Sequence, residues 1–362
     1  MNKFNIQRKL RAAVLLETGQ HLALLELEMP SLIAGQVLVK VLFSGVCRSQ
    51  IMEARGERGL DPWLPHLLGH EGSGVVLAVG DGVTKVKRGD AVILGWVKGD
   101  GLDAPGAKYM FGDQVINSGK VTTFSNYTVA SESRLVVKPE SLAFDTAVLF
   151  GCALPTGAGM VLNELRPSVD QSVLVLGLGG IGLAALMALK ALGVRSIIAI
   201  DVSEEKLGLA RQLGATHTFN SLSEDFRHTV LALTSGGADF CVESGGQVTT
   251  IELGFSLIQK NGGKLLFASH PPEGEMIRLA PYELISGKQI VGSWGGATSP
   301  DRDIPTMHTL FQTANIPLGA LLTKRYWLED INEALADLEA GRVFRPLIVM
   351  EHPEELNESR YD

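Results

Sequence analysis

A glycine-rich segment, Gly177-Leu-Gly179-Gly180-Ile181-Gly182, has the residue types and spacing that bind a dinucleotide. It follows a β-branched, leucine-rich run and opens an apolar stretch typical of a helix. The first glycine allows a tight turn, the second lets the backbone approach a pyrophosphate, and the third lets helix and strand pack closely. Free N–H groups at the helix N-terminus then face the phosphate charge. The segment therefore predicts a pyrophosphate site.

Asp201 lies nineteen residues after Gly182, at the end of the next predicted strand, where a carboxylate can bind both ribose hydroxyls. A carboxylate repels a 2′-phosphate and Val202 brings no compensating cation, so the pair favours NAD over NADP. The alternative for Asp201 is a cap for the following helix. Lys206 is in reach of the same ribose, although a solvated helix lysine explains it nearly as well.

Three cysteines and one histidine are open to several interpretations. Cys47, Cys152 and Cys241 cannot build a disulfide framework and suit a reducing cytosol. There, an isolated cysteine is core filler, a metal ligand or a nucleophile. His70 lies in LLGHEGSG, twenty-three residues after Cys47, and a histidine in such a glycine-rich segment is more often a turn residue.

Two different patterns must position these residues. From about residue 11 to 150, short alternating runs such as VLVKVLFSGV and DAVILGW are broken by Gly, Asp and Pro, which is typical of an antiparallel, barrel-like β domain. From about 170 to 295, strands alternate with amphipathic stretches, which predicts a parallel, doubly wound sheet. Its candidate strands are 172–177, 196–200, 216–220, 238–243, 264–269 and 289–294.

Helix and tail signals complete the outline. Ser203 is expected to cap a helix with Glu204 and Glu205 in its first turn. Residues 327–350 predict one helix and one strand that rejoin the first domain, and 351–362 predict a solvated tail.

Composition excludes several classes of protein. The net charge is −8 and no basic tract exceeds Lys87–Arg88, which argues against binding to DNA or RNA. The N-terminus has no apolar run or cleavage site of a signal peptide. Residues 171–189 carry no charge, but their four glycines predict strand, turn and helix instead of a membrane span.

Five segments, in order and at matching spacings, resemble the zinc-containing alcohol dehydrogenases of the medium-chain dehydrogenase/reductase superfamily. They are GVC-x-S, GHE-x-x-G, GC-x-x-x-TG-x-G, GLGGIG with the following IDVSEEKLGLARQLGA, and LEDINEALADLEAGRVFRPLI. The resemblance covers essentially the whole chain. It implies a Rossmann domain for NAD and a GroES-like catalytic domain.

The resemblance implies that Cys47, His70 and Cys152 hold a catalytic zinc, with Glu71 beside the metal and able to bind it. Two thiolates and an imidazole leave a fourth tetrahedral position open for water or an alcohol oxygen. The implied activity is Lewis-acid-assisted hydride transfer between an alcohol and NAD, reversible toward aldehyde or ketone reduction.

Other residues take family roles by the same matching. Ser49 is the hydroxyl that passes the proton, and Arg48 and Arg345 contact the pyrophosphate. Thr156 packs on the nicotinamide. For Arg48 the alternative is an exposed loop cation.

Three departures from the family pattern limit this transfer. The stretch from residue 95 to 120 lacks the four cysteines of a structural zinc site, so one zinc per chain is expected. A common carboxylate that orients the histidine ligand is replaced by Gln50. Met52 stands where a relay histidine often lies, so the proton leaves by water or another group.

The substrate side is less defined. Trp96, Phe124 and Trp294 match pocket positions and favour an apolar or ring-containing alcohol, with ordinary core packing as the alternative. His270 lies near the expected nicotinamide edge, where it hydrogen-bonds either a polar substrate or its own loop backbone.

The expected organisation is a catalytic domain over 1–153, an NAD domain over 154–297 and a returning segment over 298–362. A cytoplasmic homodimer or homotetramer acting on small molecules, without nucleic-acid or membrane partners, is expected. The alternatives are a zinc-free quinone or enoyl reductase of the same superfamily, and a non-enzymatic NAD-binding relative. The cysteine and histidine set argues against the first, whereas the missing relay histidine gives slight support to the second.

Overall fold

A computed structural model describes residues 9–350 of the chain. The strands are β1 Lys9–Leu15, β2 Ala23–Glu28, β3 Gln36–Gly45, β4 His66–Leu67, β5 Glu71–Val79, β6 Ala91–Gly95, β7 Lys108–Phe111, β8 Gln114–Asn117, β9 Tyr127–Ser131, β10 Leu135–Val137, β11 Ser172–Leu176, β12 Ser196–Asp201, β13 His217–Asn220, β14 Phe240–Glu243, β15 Lys264–Phe267, β16 Gln289–Gly292, β17 Lys324–Trp327 and β18 Pro346–Val349. The α-helices are α1 Arg48–Arg55, α2 Phe144–Ala147, α3 Ala153–Gly159, α4 Gly180–Ala191, α5 Glu204–Leu213, α6 Phe226–Leu233, α7 Val248–Leu257, α8 Pro281–Ile285, α9 Pro300–Thr313 and α10 Ile331–Glu339.

The chain forms two compact units. Among the described residues, the first comprises 9–152, 299–304 and 319–350, and the second comprises 153–298 and 305–318. The first boundary therefore falls one residue before the expected one. Residues 305–318, which the sequence analysis grouped with the returning segment, belong to the second unit. The expected tail at 351–362 lies outside the described residues.

The first unit contains a closed barrel, β1-β2-β7-β8-β4, and a sheet in the order β10-β6-β5-β3-β18-β17, with β9 also paired to β3. The predicted antiparallel β domain is thus confirmed. Strand β18 pairs antiparallel with β3 through Leu347 opposite Gly45 and parallel with β17, so the last strand of the described residues lies inside this sheet. Strand β1 contributes to two core clusters, because Leu10, Ala12 and Val14 pack in one and the alternate residues Ala13 and Leu15 pack in the other.

The stretch from 95 to 120, for which the sequence analysis assigned no strands, contains the β7–β8 hairpin. Tyr109 of β7 is fully buried and its hydroxyl accepts a hydrogen bond from the Val129 N–H at 2.8 Å. Nearby, the Glu132 carboxylate is also fully buried. It accepts backbone N–H bonds from Thr84 at 2.7 Å, Lys85 at 2.6 Å and Leu102 at 2.7 Å. This carboxylate therefore ties two loops together through their main chains.

The second unit is built on a fully parallel sheet in the order β13-β12-β11-β14-β15-β16. This is the doubly wound order in which the direction of strand addition reverses between the first and fourth strands, β11 and β14. The six predicted strands and the Rossmann fold are confirmed. Helix α4 is apolar on all sides and buried from Gly182 to Leu189, as expected for a helix packed within the unit.

The uncharged stretch 171–189 folds as strand β11, a glycine turn and helix α4. Within residues 9–350, no single helix has the length and apolar composition needed to span a membrane. One pair of consecutive helices, 144–151 and 153–165, meets these two criteria only when its members are taken together.

Candidate metal centre and dinucleotide site

Two thiols and an imidazole converge in the first unit. Cys47 precedes the first turn of α1, and Cys152 follows the short 3-10 helix Val148–Gly151. The two Sγ atoms lie 3.9 Å apart, and a ring nitrogen of His70 lies within 4.8 Å of both. Two thiolates at the usual Zn–S distance of about 2.3 Å in a tetrahedron stand about 3.8 Å apart. The spacing of the thiols therefore fits a zinc ion.

Glu71 lies directly beside this cluster. Its side chain is fully buried, and Oε1 is 3.1 Å from Nη1 of Arg345, which is itself only 3% exposed. This contact is an ion pair without hydrogen-bond geometry, and within the described residues neither carboxylate oxygen has a hydrogen-bond partner. Gly45 and Gly151 leave the room for this carboxylate and its backbone, because a Cβ at either position would come within 2.8 Å of Glu71 atoms.

The charges of this cluster influence one another strongly. The hydrogen bond from Cys152 lowers the pKa of Cys47 well below its usual value, and Arg345 and His70 lower it further. The same bond, together with burial, raises the pKa of Cys152. Burial raises the pKa of Glu71 to about 7, although Arg345 opposes the shift. Cys47 is thus the thiol of the pair that ionises more readily, whereas burial and neighbouring negative charge favour the neutral forms of Cys152 and Glu71.

Helix α1, which begins directly after Cys47, carries Arg48 and Ser49, whose roles are predicted, and Met52, which replaces a relay histidine. Arg48 is exposed in the first turn, which fits either a pyrophosphate contact or a solvated cation. Ser49 comes next, and its Oγ is buried without a hydrogen-bond partner in the described part of the chain. Met52 is buried at 9% exposure and offers no group that carries a proton.

Gln50 contacts the histidine of the cluster. Its Nε2 lies 2.9 Å from Nδ1 of His70, and its Oε1 accepts a short hydrogen bond from the Gly69 N–H. Since Gln50 engages Nδ1, Nε2 is the His70 nitrogen left for a metal. The residue that replaces the common carboxylate therefore still contacts the histidine ring.

The two aromatic residues expected to line a pocket in this unit differ in burial. Trp96 follows β6 and is half-buried. Its backbone N–H donates to the carbonyl of Gly151, the residue before Cys152, at 3.3 Å. Phe124 is 1% exposed and packs in the core cluster that contains Leu15 and Val41. Core packing thus accounts for Phe124, and its role toward a substrate stays a prediction.

The glycine segment of the second unit has the geometry that its spacing predicts. Gly177 has a φ of 85°, and a Cβ there would lie 2.6 Å from the Gly245 nitrogen. A Cβ at Gly182 would lie 1.9 Å from the Gly177 carbonyl oxygen, so the helix and strand could not pack. At Gly179, which precedes α4, a Cβ would meet no atom within 4 Å. This open space, at a helix N-terminus, is where a pyrophosphate fits.

Asp201 ends β12 beside this segment. Its Oδ2 accepts the Leu178 N–H at 2.7 Å and its Oδ1 accepts the Ser203 N–H at 3.0 Å. The cap of α5 is instead Ser203, whose Oγ accepts the Lys206 N–H at 3.4 Å, as predicted. Each oxygen of Asp201 keeps a lone pair for a ribose hydroxyl, since a carboxylate accepts about four hydrogen bonds. Lys206 itself lies in the first turn of α5.

Three further candidates lie in the second unit. Thr156 is buried in α3, and its Oγ1 has no partner within residues 9–350. The exposed His270 donates from Nδ1 to the Pro271 carbonyl at 2.8 Å, so it hydrogen-bonds its own loop backbone. Trp294 follows β16 and is 82% exposed.

Sequence reasoning missed two contacts. One is the ion pair of Arg345 with Glu71, and the other is the hydrogen bond that the Gly69 N–H donates to the Gln50 side chain. The pairing of a buried cation with a buried anion from distant segments leaves no local pattern to detect. The GHE segment gives a partial signal, because a glutamate between apolar and glycine-rich neighbours must find a cationic partner when it is buried.

Comparisons with known proteins bear on the whole chain. Residues 33–140 match the family model of the alcohol dehydrogenase GroES-like domain, and residues 180–313 match that of zinc-binding dehydrogenases. S-(hydroxymethyl)glutathione dehydrogenase of Paracoccus denitrificans is 29% identical, over 94% of this chain and 99% of the relative.

Solved structures agree with this. Benzyl alcohol dehydrogenase from Acinetobacter calcoaceticus has a TM-score of 0.86 at 29% identity, covering 95% of this chain and 99% of the other. An alcohol dehydrogenase zinc-binding domain protein from Burkholderia ambifaria has a TM-score of 0.88 at 27% identity, covering 95% and 100%. These similarities do not favour the two alternatives, a zinc-free quinone or enoyl reductase and a non-enzymatic NAD-binding relative. The chain belongs to the zinc-dependent alcohol dehydrogenases of the medium-chain dehydrogenase/reductase superfamily, NAD-linked enzymes that interconvert alcohols and carbonyl compounds.

Proposed function

We propose that Cys47, His70 and Cys152 hold the catalytic zinc of this alcohol dehydrogenase. The observation that carries the proposal is the separation of 3.9 Å between the two Sγ atoms, which suits two ligands of one tetrahedral ion. When bound, zinc supplies Lewis acidity that makes an alcohol oxygen more acidic. Glu71 lies beside these ligands, where its carboxylate can add to the ligand set.

The chain's own residues then handle the proton and the charge. Ser49 has a buried hydroxyl that no group of residues 9–350 engages, so it can accept a proton from the alcohol and donate its own onward. Arg345 offsets the negative charge of Glu71 and of the thiolates. In the absence of a histidine at position 52, water takes the proton from Ser49.

NAD is the dinucleotide for the second unit. Gly177, Gly179 and Gly182 with Gly180 and Ile181 form the pyrophosphate cradle, and Asp201 binds the ribose hydroxyls. Lys206 flanks the same ribose, Thr156 packs on the nicotinamide, and Arg48 is the family-matched pyrophosphate contact. Arg345 was matched to a second such contact, but its guanidinium is buried against Glu71. The negative charge at Asp201 selects against the 2′-phosphate of NADP.

The zinc content is one ion per chain. A closed structural site needs four ligands, usually thiolates, and only Cys241 remains beyond the catalytic pair. Cys241 is fully buried in β14, and the stretch from 95 to 120 has no cysteine. The β7–β8 hairpin and the Glu132 carboxylate take over the structural task.

The substrate class is an apolar or ring-containing primary or secondary alcohol. The Trp96 backbone bonds to that of Gly151, the residue before Cys152, and an aromatic side chain at this family-matched position favours such a substrate. The structural neighbour from Acinetobacter calcoaceticus is a benzyl alcohol dehydrogenase. The roles of Phe124, Trp294 and His270 toward a substrate rest on the family matching alone and stay predictions.

We further infer that the protein is cytoplasmic and forms a homo-oligomer. We place the interface between its copies at the edge of the second unit's sheet. Strand β16 is at the sheet edge, and Val291 is 41% exposed in it. Ile285 and Met276, close to β16 in the chain, are 79% and 80% exposed. An unpaired strand edge with apolar side chains favours pairing with another chain. Val291→Lys should therefore lower the oligomeric mass in sedimentation, and an unchanged mass would place the interface elsewhere.

Elemental analysis with an NAD-linked oxidation screen over aliphatic, aromatic and polyol alcohols tests the central proposal. Wild type should hold one zinc per chain. Cys47→Ser and Cys152→Ser should lose zinc and turnover but keep NAD binding, whereas the control Cys241→Ala should keep all three. Two tightly bound zinc ions per chain, or near-normal activity of a serine variant in zinc-free buffer, would contradict the proposal.

A further inference from the structure

We propose that Gln50 is a positioning residue that weakens zinc binding at His70 and makes the catalytic metal of this chain exchangeable. The inference rests on the proposed ligand set of Cys47, His70 and Cys152. It concerns the direction of hydrogen bonds around one buried carboxamide, and it predicts that a carboxylate at position 50 would hold the metal more tightly.

The orientation of the Gln50 carboxamide follows from its neighbours. The Gly69 N–H can only donate, so the carboxamide atom that it contacts must be the oxygen. The amide nitrogen is then left facing Nδ1 of His70 at 2.9 Å. The same nitrogen also lies 3.5 Å from Oε2 of Glu53, an acceptor that favours this orientation.

Burial prevents water from relaxing the arrangement. Gln50 is 3% exposed, so its polar atoms depend on protein partners. With an NH₂ group facing Nδ1, that nitrogen must accept a hydrogen bond. The neutral imidazole then carries its hydrogen on Nε2, the nitrogen that a metal would need.

Metal binding through Nε2 moves the hydrogen to Nδ1, where it faces the Gln50 NH₂ group, a second donor. Turning the carboxamide over does not help, because the NH₂ group would then face the Gly69 N–H. One buried hydrogen bond is therefore lost on metal binding in either orientation. A carboxylate at position 50 accepts from both Gly69 and His70, since each of its oxygens is an acceptor.

The size of the effect follows from metal sites in general. Changing the group that hydrogen-bonds a histidine ligand typically alters metal affinity by about 10- to 100-fold. We expect Gln50→Glu to lower the zinc dissociation constant by a factor in this range and to slow the release of zinc to a chelator. The native glutamine thereby leaves the metal content of the protein sensitive to the supply of zinc.

Zinc dissociation constants, measured by chelator competition on the full chain, test the inference. Gln50→Glu places a second carboxylate about 3.5 Å from Glu53, so the double variant Gln50→Glu/Glu53→Gln removes that repulsion. Gln50→Met keeps the length of the side chain but removes its donor without adding charge. It should bind zinc a few-fold more tightly than wild type, which separates hydrogen-bond direction from simple charge attraction. NAD affinity is the control and should not change in any variant.

The outcomes separate the two proposals. Tighter zinc binding by the glutamate variants and by Gln50→Met supports the inference. If the glutamate variants gain affinity and Gln50→Met does not, charge explains the gain and the inference is wrong. The inference is also wrong if no Gln50 variant changes zinc affinity while Cys47→Ser abolishes it. If Cys47→Ser itself keeps wild-type zinc affinity, the ligand set and with it the proposed function fail.

Discussion

Ser49→Ala is the substitution that isolates proton transfer most cleanly. In the structure, the Ser49 Oγ is buried and has no hydrogen-bond partner within residues 9–350. Its removal breaks no bond that would contribute about 1 kcal/mol to stability. We therefore expect the free energy of unfolding to change by less than about 0.5 kcal/mol. Because so small a change leaves the variant folded, a loss of activity then reflects the chemical step and not folding.

The rate of hydride transfer by Ser49→Ala should fall strongly, although its stability hardly changes. A positioned acid–base group contributes roughly 10²- to 10⁴-fold, and water can replace part of a relay, so a loss of about 100-fold is expected. Ser49→Thr keeps a hydroxyl and should retain most of the rate. Met52→His should have little effect or a modest gain, because it adds a second carrier to a path that already runs through water.

Single-turnover NADH formation, measured from about pH 6 to pH 10 for wild type and these variants, is the assay that follows proton release. Wild-type rates for Ser49→Ala at neutral pH would show that the serine only packs against the substrate. His270 would be the next residue to replace. Its Nδ1 already donates to the Pro271 carbonyl, so only Nε2 would remain for the task.

Three further predictions concern the two units separately. Glu132→Gln should destabilise the first unit by about 3 kcal/mol in urea unfolding, because one of its three backbone donors must then face an NH₂ group. These donors outweigh burial and lower the pKa of Glu132. Wild type should therefore lose this advantage as the pH falls below the ordinary value of 4.5, and a constant difference down to low pH would refute the assignment. Burial raises the pKa of Glu243 above its ordinary value despite hydrogen bonds from Thr250 and the backbone. The stability that this carboxyl adds when protonated is lost as the pH rises, so Glu243→Gln should gain on wild type between mildly acidic and alkaline pH. Parallel stability curves for the two proteins would argue against this. Asp201→Gly should weaken NAD binding and relax discrimination against NADP in titration calorimetry, and an unchanged NAD affinity would mean that the ribose is bound elsewhere.

The parts of the fold that the sequence predicts are those fixed by local chemistry. The glycine segment required a tight turn and close packing, and the clashes that a Cβ would make at Gly177 and Gly182 show why no other residue serves. The six strands of the second unit were predictable because short strand-like runs alternate along the chain with helical patterns and turn residues. Ser203 capped its helix as expected.

The parts that it could not predict depend on contacts between distant segments. Arg345 was expected only as a pyrophosphate contact, yet it is buried against Glu71, which no local pattern indicates. At position 50, the sequence showed only that a glutamine replaces the carboxylate common in the family. Its consequence depends on the Gly69 N–H, whose direction is set by the fold. Sequence patterns thus identified the ligand candidates, whereas the groups that tune them required coordinates.

The stretch from 95 to 120, which has no cysteine, is tied to a second loop through the buried Glu132 carboxylate. A metal holds a loop by pulling several side chains onto one charged centre, and Glu132 does the reverse by pulling several main-chain donors onto one buried anion. The donors belong to the backbone, so the residues at 84, 85 and 102 are free to vary while the anchor must stay an acceptor on both oxygens. Asp103 extends the arrangement, because it accepts from Ser133 at 3.0 Å and pairs with Lys120 at 2.6 Å. A zinc chelator should therefore remove activity without unfolding this part of the first unit, whereas Glu132→Gln should destabilise it by about 3 kcal/mol even when zinc is supplied. Loss of the β7–β8 hairpin's amide protection on chelation, measured by hydrogen exchange, would show that a metal holds this stretch after all.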